Sequence, residues 1–145
     1  MKYTQQSLSE HYGVMLNLSD PWTVFKIELD TENLCLIINA STAKGARLPC
    51  PLCGKPCPKE DHREKRTWRH LDTMQFKTSI VCRVPRVNCE THGILSVTVP
   101  WAEGYSRFTE LFEKFAIEVL KTAKSVKAAA ILLKIVMASN SLYPG

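Results

Sequence analysis

Two short cysteine motifs constrain this chain more than any other feature. Cys50 and Cys53 stand three positions apart with a glycine directly after them, and Cys89 and His92 repeat that spacing and that glycine. In zinc knuckles, two ligands at this spacing sit on a tight turn, where glycine lets the backbone curl round the metal. Three thiolates and one imidazole make a complete tetrahedral set. The motifs therefore predict one structural Zn²⁺ bound by Cys50, Cys53, Cys89 and His92, with no open position for water.

This ligand set has alternatives. The stretch between the motifs, residues 54–88, is longer than the usual zinc-ribbon spacing of about 15–20 residues, so they could be two unrelated cysteine-rich turns. Cys57 and Cys82 are rival ligands. Cys57 lies between two prolines, whereas Cys82 and Cys35 lie in apolar runs, where a free cysteine is most often a small core residue. A thiol oxidoreductase is a weaker alternative, because its cysteine pair needs a βαβ context.

Composition limits the class of protein. The chain has 145 residues, 45% hydrophobic and 23% charged, which is typical of one ordinary globular domain or two small ones. Its first 20 residues lack the apolar core of a signal peptide, and no apolar run is long enough for a membrane span. Six cysteines without an export signal favour metal binding in a reducing compartment over disulfides. We therefore expect a cytoplasmic protein without membrane partners.

Positive charge is concentrated between the two motifs. Residues 44–90 carry a net charge of +6, against −3 for residues 1–43 and +2 for residues 91–145. Such a bias can be an ordinary solvated surface or a patch that faces nucleic-acid phosphates, and the neighbouring zinc motifs favour the second interpretation. The candidate DNA contacts are Arg63, Lys65, Arg66, Arg69, Lys77, Arg83 and Arg86.

Hydrophobic periodicity predicts strands around the cysteine motifs. Residues 4–16 have helical spacing, and residues 22–30 alternate as a strand with a buried face of Thr23, Phe25, Ile27 and Leu29. Residues 34–39 complete an N-terminal β-hairpin. Residues 59–66 are a solvated charge run before β character returns at residue 67. Residues 76–87 and 94–99 form a second hairpin with Cys89 and His92 at its tip, and Pro85 marks an edge or a bulge. His62 and His70 are expected to be surface or half-buried residues and not ligands.

The C-terminal third is helical in pattern. Ser106 is a plausible N-cap, and an apolar face follows at helical spacing: Phe108, Leu111, Phe112, Phe115, Ala116 and Val119. Residues 122–125 interrupt this helix, and residues 126–133 form a second one. Two helices after a zinc module suggest the start of a helix-turn-helix, although a plain helical hairpin has the same pattern. The predicted fold class is α+β, divided into residues 1–43 (helix and hairpin), 44–104 (zinc-ribbon module) and 105–145 (helical segment).

Five stretches also carry a family resemblance: Cys50-Pro-Leu-Cys-Gly54, Thr67-Trp-Arg-His-Leu-Asp72, Val84-Pro-Arg-Val-Asn-Cys-Glu-Thr-His-Gly93, Val99-Pro-Trp-Ala102 and Ser106-Arg-Phe-Thr109. In this order they resemble the N-terminal zinc-binding domain of the ISL-three family of bacterial insertion-sequence transposases, over about residues 22–133. The resemblance implies a zinc-ribbon DNA-binding head that binds the terminal inverted repeats, with the same four zinc ligands. A helix-turn-helix and then an RNase H-like domain with a DDE carboxylate triad would follow.

The chain departs from that family after the helical segment. Residues 134–145 do not resemble a recognition helix, and no stretch resembles the catalytic domain. We therefore expect a truncated transposase without enzymatic activity, whose DNA affinity comes mainly from charge. The alternative is a zinc-stapled interaction module that associates with a full-length transposase, or with itself, without binding DNA.

Overall fold

The computed structural model describes residues 5–104, 106–122, 125, 127–128 and 130–131. Within these ranges the fold is α+β, and it has no helix long and apolar enough to cross a membrane. Its elements, in chain order, are α1 Gln5–Met15, β1 Trp22–Asp30, β2 Cys35–Thr42, β3 Leu48–Pro49, β4 Pro56–Cys57, β5 Lys59–Arg69, β6 Lys77–Cys89, β7 Gly93–Ser96 and α2 Glu110–Thr122.

Five strands form one sheet in the order β1-β2-β6-β5, and β7 pairs with the end of β6. β1 and β2 are antiparallel, joined by a turn in which the Asp30 carboxylate accepts the backbone N–H groups of Glu32 and Asn33. β2 and β6 run parallel, from Cys35 opposite Lys77 to Ala40 opposite Cys82. The predicted boundary at residue 43 therefore does not separate two sheets, because the N-terminal strands pair with the long strand that leads to Cys89.

The core lies on one face of this sheet. Ile38, Ile80 and Trp68 are fully buried there, and Leu8 and Tyr12 of α1 pack against the same cluster. The Trp101 ring meets the Trp68 ring edge-on, with centroids 5.3 Å apart and an interplanar angle of 82°. Fully burying an apolar side chain contributes about 1.5–3 kcal/mol, so these residues stabilise the sheet on which both cysteine motifs depend.

β1 contains a bulge that the alternating pattern did not reveal. The register shifts between Val24 and Lys26, which makes Phe25 an extra residue in the strand. A one-residue bulge exchanges the two faces of a strand, so Val24 is buried while the Phe25 side chain is 61% exposed. Thr23 and Leu29 are exposed as well. The predicted buried face was therefore wrong except at Ile27.

The charged run 59–66 belongs to a strand and not to a loop. β5 forms one end of the sheet, and its residues from Glu60 to Lys65 are exposed, as the charge pattern predicted. Charged side chains protect such an edge from pairing with another chain. A register shift between His62 and Lys65 lies opposite Pro85, which agrees with the predicted bulge near this proline.

Thr109, and not Ser106, caps α2. The Thr109 hydroxyl accepts the backbone N–H of Phe112 at 3.2 Å, and the helix begins at the next residue, Glu110. Ser106 caps nothing, because its hydroxyl accepts the N–H of Phe108 before the helix starts. The predicted N-cap therefore lies about one helical turn before the observed one.

A second helical stretch follows α2. Residues 127–128 and 130–131 are helical, and the Ser125 hydroxyl accepts the backbone N–H of Ala128 at 3.0 Å. The predicted interruption at residues 122–125 holds at Ser125, whereas Thr122 is the last residue of α2 and residues 123–124 lie outside the described residues. The rest of the predicted second helix and all of residues 134–145 lie outside the described residues.

Candidate metal centre and nucleic-acid interface

The turn that carries Cys50 and Cys53 lies between the two short strands β3 and β4. The backbone N–H of Cys50 donates to the carbonyl of Lys55 at 3.0 Å, and the N–H of Gly54 donates to the carbonyl of Cys50 at 2.8 Å. Gly54 has φ of +75°, a conformation that favours glycine. The N–H of Leu52 points at the Cys50 sulfur, 3.4 Å away. This backbone arrangement holds both cysteine sulfurs on the same side of the turn.

Cys89 and His92 lie at the tip of the hairpin between β6 and β7. Cys89 is the last residue of β6, and Gly93, with φ of +78°, is the first of β7. The backbone N–H of His92, the His92 ring and the backbone N–H of Thr91 lower the pKa of the Cys89 thiol to about 6. The thiolate is the form that binds metals, so the turn prepares Cys89 for a cation at neutral pH.

The two turns bring their four side chains together. The ligand atoms of Cys50, Cys53, Cys89 and His92 all lie within 4.8 Å of one another. The Cys53 and Cys89 sulfurs are 3.8 Å apart, and the His92 Nδ1 lies 3.6 Å from the Cys89 sulfur and 3.7 Å from the Cys50 sulfur. A zinc tetrahedron with bonds of about 2.3 Å to sulfur and about 2.0–2.1 Å to nitrogen has edges of about 3.8 Å and 3.6 Å. These three distances match the edges of a zinc tetrahedron, so the four residues fit a zinc ion.

The remaining cysteines lie outside this group. Burial raises the pKa of the Cys82 thiol to about 12, so this side chain stays protonated in the core. Cys35 is also buried, as expected for a small core residue. Cys57 is buried beside the centre, and its thiol donates to the carbonyl of Lys55 at 3.1 Å. Burial and then the neighbouring Cys89 raise the pKa of the Cys57 thiol, which disfavours the form that binds metal.

His70 has a structural partner. Its Nδ1 lies 2.7 Å from the hydroxyl of Thr109, the residue that caps α2. Burial, and then the charge of Arg69, lower the pKa of the His70 imidazole to about 4. A neutral ring therefore joins the end of β5 to the start of α2, as expected for a half-buried histidine that is not a ligand.

Four of the seven predicted DNA contacts line one wide groove. This groove of about 890 Å³ lies between β5 and residues 96–104, and its basic residues are Arg63, Lys65, Arg66 and Arg86. Arg63 and Lys65 are exposed. The Arg66 guanidinium lies 4.7 Å above the Trp68 ring and donates to the carbonyl of Ser106 at 2.8 Å. These contacts fix the Arg66 side chain along one wall.

Arg86 has an acidic partner within this region. Its Nε donates to the Asp61 carboxylate at 2.6 Å, and its Nη2 binds the second oxygen. This bidentate bridge lowers the pKa of Asp61 and raises the pKa of Arg86. The charge of Arg86 is therefore balanced locally, and Arg63 and Lys65 are better placed to attract a phosphate.

Arg69 does not belong to this surface. The sequence placed it among the DNA contacts, but its side chain is 0% exposed and lies 2.6 Å from the Asp72 carboxylate. A fully buried guanidinium cannot reach a phosphate, so this prediction was wrong. Lys77 is half-buried at the far end of β6, and Arg83 faces a second, smaller groove of about 290 Å³.

Two sequence models of one transposase family match consecutive parts of the chain. Residues 47–92 match the model described as the zinc-finger of transposase IS204/IS1001/IS1096/IS1165, and this stretch contains all four residues of the metal centre. Residues 97–135 match the helix-turn-helix domain of transposase family ISL3. The chain belongs to the ISL3 transposase family. It corresponds to the N-terminal region of such an enzyme, which carries the zinc-ribbon and helix-turn-helix parts.

Full-length relatives support the same assignment. The chain is 34% identical over 87 residues to the transposase for insertion sequence element IS1557 in two strains of Mycobacterium tuberculosis. This alignment covers 59% of the chain but 19% of each relative, so the chain spans about a fifth of those transposases. No solved structure matches the chain.

The family match and the geometry of the four ligands agree on a metal-binding site. The zinc-finger match and the cluster of three cysteines and one histidine show a metal-binding zinc ribbon. The helix-turn-helix match begins at Val97, before the boundary predicted at residue 105, and includes α2. The sequence did not predict the roles of Thr109 and Phe25, because a helix cap and a strand bulge depend on backbone geometry that periodicity does not reveal.

Proposed function

We propose that this region of the ISL3 transposase is a zinc-stabilised head that binds duplex DNA at the terminal inverted repeats of its element. The observation that carries the proposal is the basic groove of Arg63, Lys65, Arg66 and Arg86. Family membership supports it, because a helix-turn-helix commonly seats a helix in the DNA major groove. The protein acts in the bacterial cytoplasm, where thiols stay reduced.

One zinc ion is bound by Cys50, Cys53, Cys89 and His92. The set is closed, since four protein ligands complete the tetrahedron and leave no position for an activated water. The ion is therefore structural, and we propose no catalytic role for it. It joins the β3–β4 turn to the tip of the β6–β7 hairpin, two segments about 36 residues apart in the chain. Residues 44–104 act as the zinc module, and the helical part begins after them with α2.

Arg63 and Lys65 make the main contacts with DNA phosphates. Both are exposed on the edge strand and line the groove, and the Arg63 guanidinium makes a long hydrogen bond of 3.4 Å to the Ser96 hydroxyl. Arg66 and Arg86 are held more firmly, by the Ser106 carbonyl and the Asp61 carboxylate. Contacts to phosphate position a protein on the duplex without reading its sequence. Arg83, which lies directly opposite Lys65 on β6, is a further candidate, whereas Lys77 lies outside both grooves.

A gel-shift experiment tests the proposal. The zinc-loaded chain is titrated against a duplex with the element's end sequence and against a scrambled duplex, each with and without a chelator. Binding that the chelator abolishes supports a zinc-stabilised DNA-binding head. Binding that persists after zinc removal would contradict the role of the metal. Absence of DNA binding together with co-purification of a full-length transposase would favour the zinc-stapled interaction module instead.

A further inference from the structure

The smaller groove lies on the sheet face that points away from the core. It has a volume of about 290 Å³ and mostly apolar walls, and its lining includes Phe25, Asn39, Val81, Lys65 and Arg83. Asn39, Val81 and Arg83 alternate along their strands with the buried Ile38, Ile80 and Val84, which places them on the outer face. This groove therefore opens on a different face from the wide groove beside residues 96–104, although His62 and Lys65 line both.

Phe25 is presented to solvent by the bulge in β1. The register shift between Val24 and Lys26 turns its ring outwards, where it is 61% exposed at the wall of the groove. Large aromatic side chains are usually buried, and the exposed ring here is set in a concave site with cationic neighbours. An aromatic ring beside basic side chains is the combination on which unpaired bases stack.

Two cations lie side by side next to this ring. Lys65 of β5 is directly opposite Arg83 of β6, and both are exposed. Like charges at opposite positions of a strand pair destabilise it, so an anion bound between them would be favoured. The carboxylate of Glu28 lies on the same face, but it is bound by Lys26 at 3.3 Å and by the Asn39 amide at 3.1 Å.

We propose that this groove binds single-stranded DNA, with one unpaired base stacked on Phe25 and the adjacent phosphate held by Lys65 and Arg83. The volume is close to that of the smallest ligand pockets, about 300 Å³, which suits a single base. A base offers its flat face only when it is unpaired and unstacked, so an aromatic wall selects a single strand over a duplex. The inference rests on the proposed function in that both ligands are DNA and Lys65 lines both grooves, whereas Phe25 lines only the smaller groove.

Fluorescence anisotropy of the zinc-loaded full chain tests this site. One probe is a labelled oligothymidine of about 12 nucleotides, a length within the site size of about 4–16 nucleotides that single-strand-binding domains cover. The other probe is a labelled duplex with the sequence of the element's end. Phe25→Ala should weaken single-strand binding by roughly 5- to 150-fold, the effect of losing one base–aromatic stack, and leave duplex binding unchanged. Phe25→Trp should retain single-strand binding.

The matched control is Leu29→Ala on the same strand. Leu29 is 55% exposed and lies outside the groove, so this change removes similar apolar surface and should affect neither probe. The proposal is overturned if the oligothymidine does not bind, if Phe25→Ala leaves its binding unchanged, or if that variant weakens both probes equally. The proposal is also overturned if the wild-type chain is a dimer and Phe25→Ala weakens single-strand binding only because the variant is monomeric. Single-strand binding that depends on Phe25, without duplex binding, would sustain this site and refute the proposed function.

Discussion

At the scale of single residues, Arg69 connects the sheet to the helix-turn-helix. Its guanidinium donates to the carbonyls of His70 and Thr78, pairs with Asp72, and lies 5.4 Å from the centre of the Phe112 ring in α2. The planar fork of arginine suits such a site, where one cation satisfies several acceptors at once. A basic residue in a basic segment can therefore stabilise the fold and not bind a ligand.

We expect Arg69→Gln to lower the free energy of unfolding by about 3 kcal/mol. Removing one partner of a buried ion pair costs about 3–5 kcal/mol, and the lower end applies because the Asp72 side chain is 34% exposed. Denaturant unfolding of the zinc-loaded protein measures the effect. Arg63→Gln on the exposed edge strand is the control and should change stability by less than about 0.5 kcal/mol. Equal effects of the two substitutions would contradict the structural role of Arg69.

His70 makes stability depend on pH. Its pKa is lowered to about 4 in the folded protein from 6.5 in the unfolded chain, so between these values the unfolded state binds more protons. Its contribution is therefore fully present above pH 6.5 and is lost as pH falls towards 4, by up to about 3 kcal/mol.

Comparison with His70→Gln isolates this effect, because protonation of the zinc ligands is common to both proteins. We expect the stability difference between wild type and variant to be constant above pH 6.5 and to shift in favour of the variant as the solution becomes more acidic. A difference that does not change between pH 7 and pH 5 would show that the His70 ring is accessible to protons in the folded state.

At the scale of elements, the sequence predicted local features better than their pairing. Turn residues and apolar patterns located α1, β1, β6 and α2 correctly. The parallel pairing of β2 with β6 joins residues about 42 positions apart and leaves no periodic signal in either strand. The Val24–Lys26 bulge also has no compositional mark, so the buried face of β1 was predicted wrongly.

The metal centre was easier to predict than the basic surface for a physical reason. Zinc ligands must lie on tight turns at fixed spacing, so their pattern is visible in the sequence. Lysine and arginine are long and common, and their exposure depends on tertiary packing. Arg69 and Arg63 therefore lie in the same basic stretch of sequence, but in the folded protein Arg69 is fully buried and Arg63 is exposed.

Zinc removal should unfold the module that contains both turns. Cys89→Ser should abolish stoichiometric zinc binding and loosen residues 48–100, because metal binding of about 10–16 kcal/mol in such sites is coupled to folding. Metal analysis and hydrogen exchange measure the two effects. Cys35→Ser and Cys57→Ser are controls that should retain one zinc per chain. Loss of zinc in Cys57→Ser with retention in Cys89→Ser would reassign the ligands, and protein without zinc when purified free of chelator would refute the site.

At the scale of the whole molecule, the part of the chain that the structure describes offers DNA mainly charged contacts. Arg63 and Lys65 in the wide groove reach phosphates, which are the same in every sequence. We therefore expect dissociation constants of about 10⁻⁴–10⁻⁶ M at physiological salt and a preference below about a hundredfold for the element's end over random duplex. Competition binding with both duplexes measures this preference. A larger preference would show that the chain reads bases directly.

The salt dependence of duplex binding tests the central claim most directly. The logarithm of the binding constant should fall linearly with the logarithm of salt concentration, by about 0.9 for each phosphate that is neutralised. Arg63→Gln combined with Lys65→Gln should therefore make the slope shallower by about 1.8, whereas Lys77→Gln, outside both grooves, should leave it unchanged. An unchanged slope in the double variant would contradict the account and place the DNA-binding surface elsewhere.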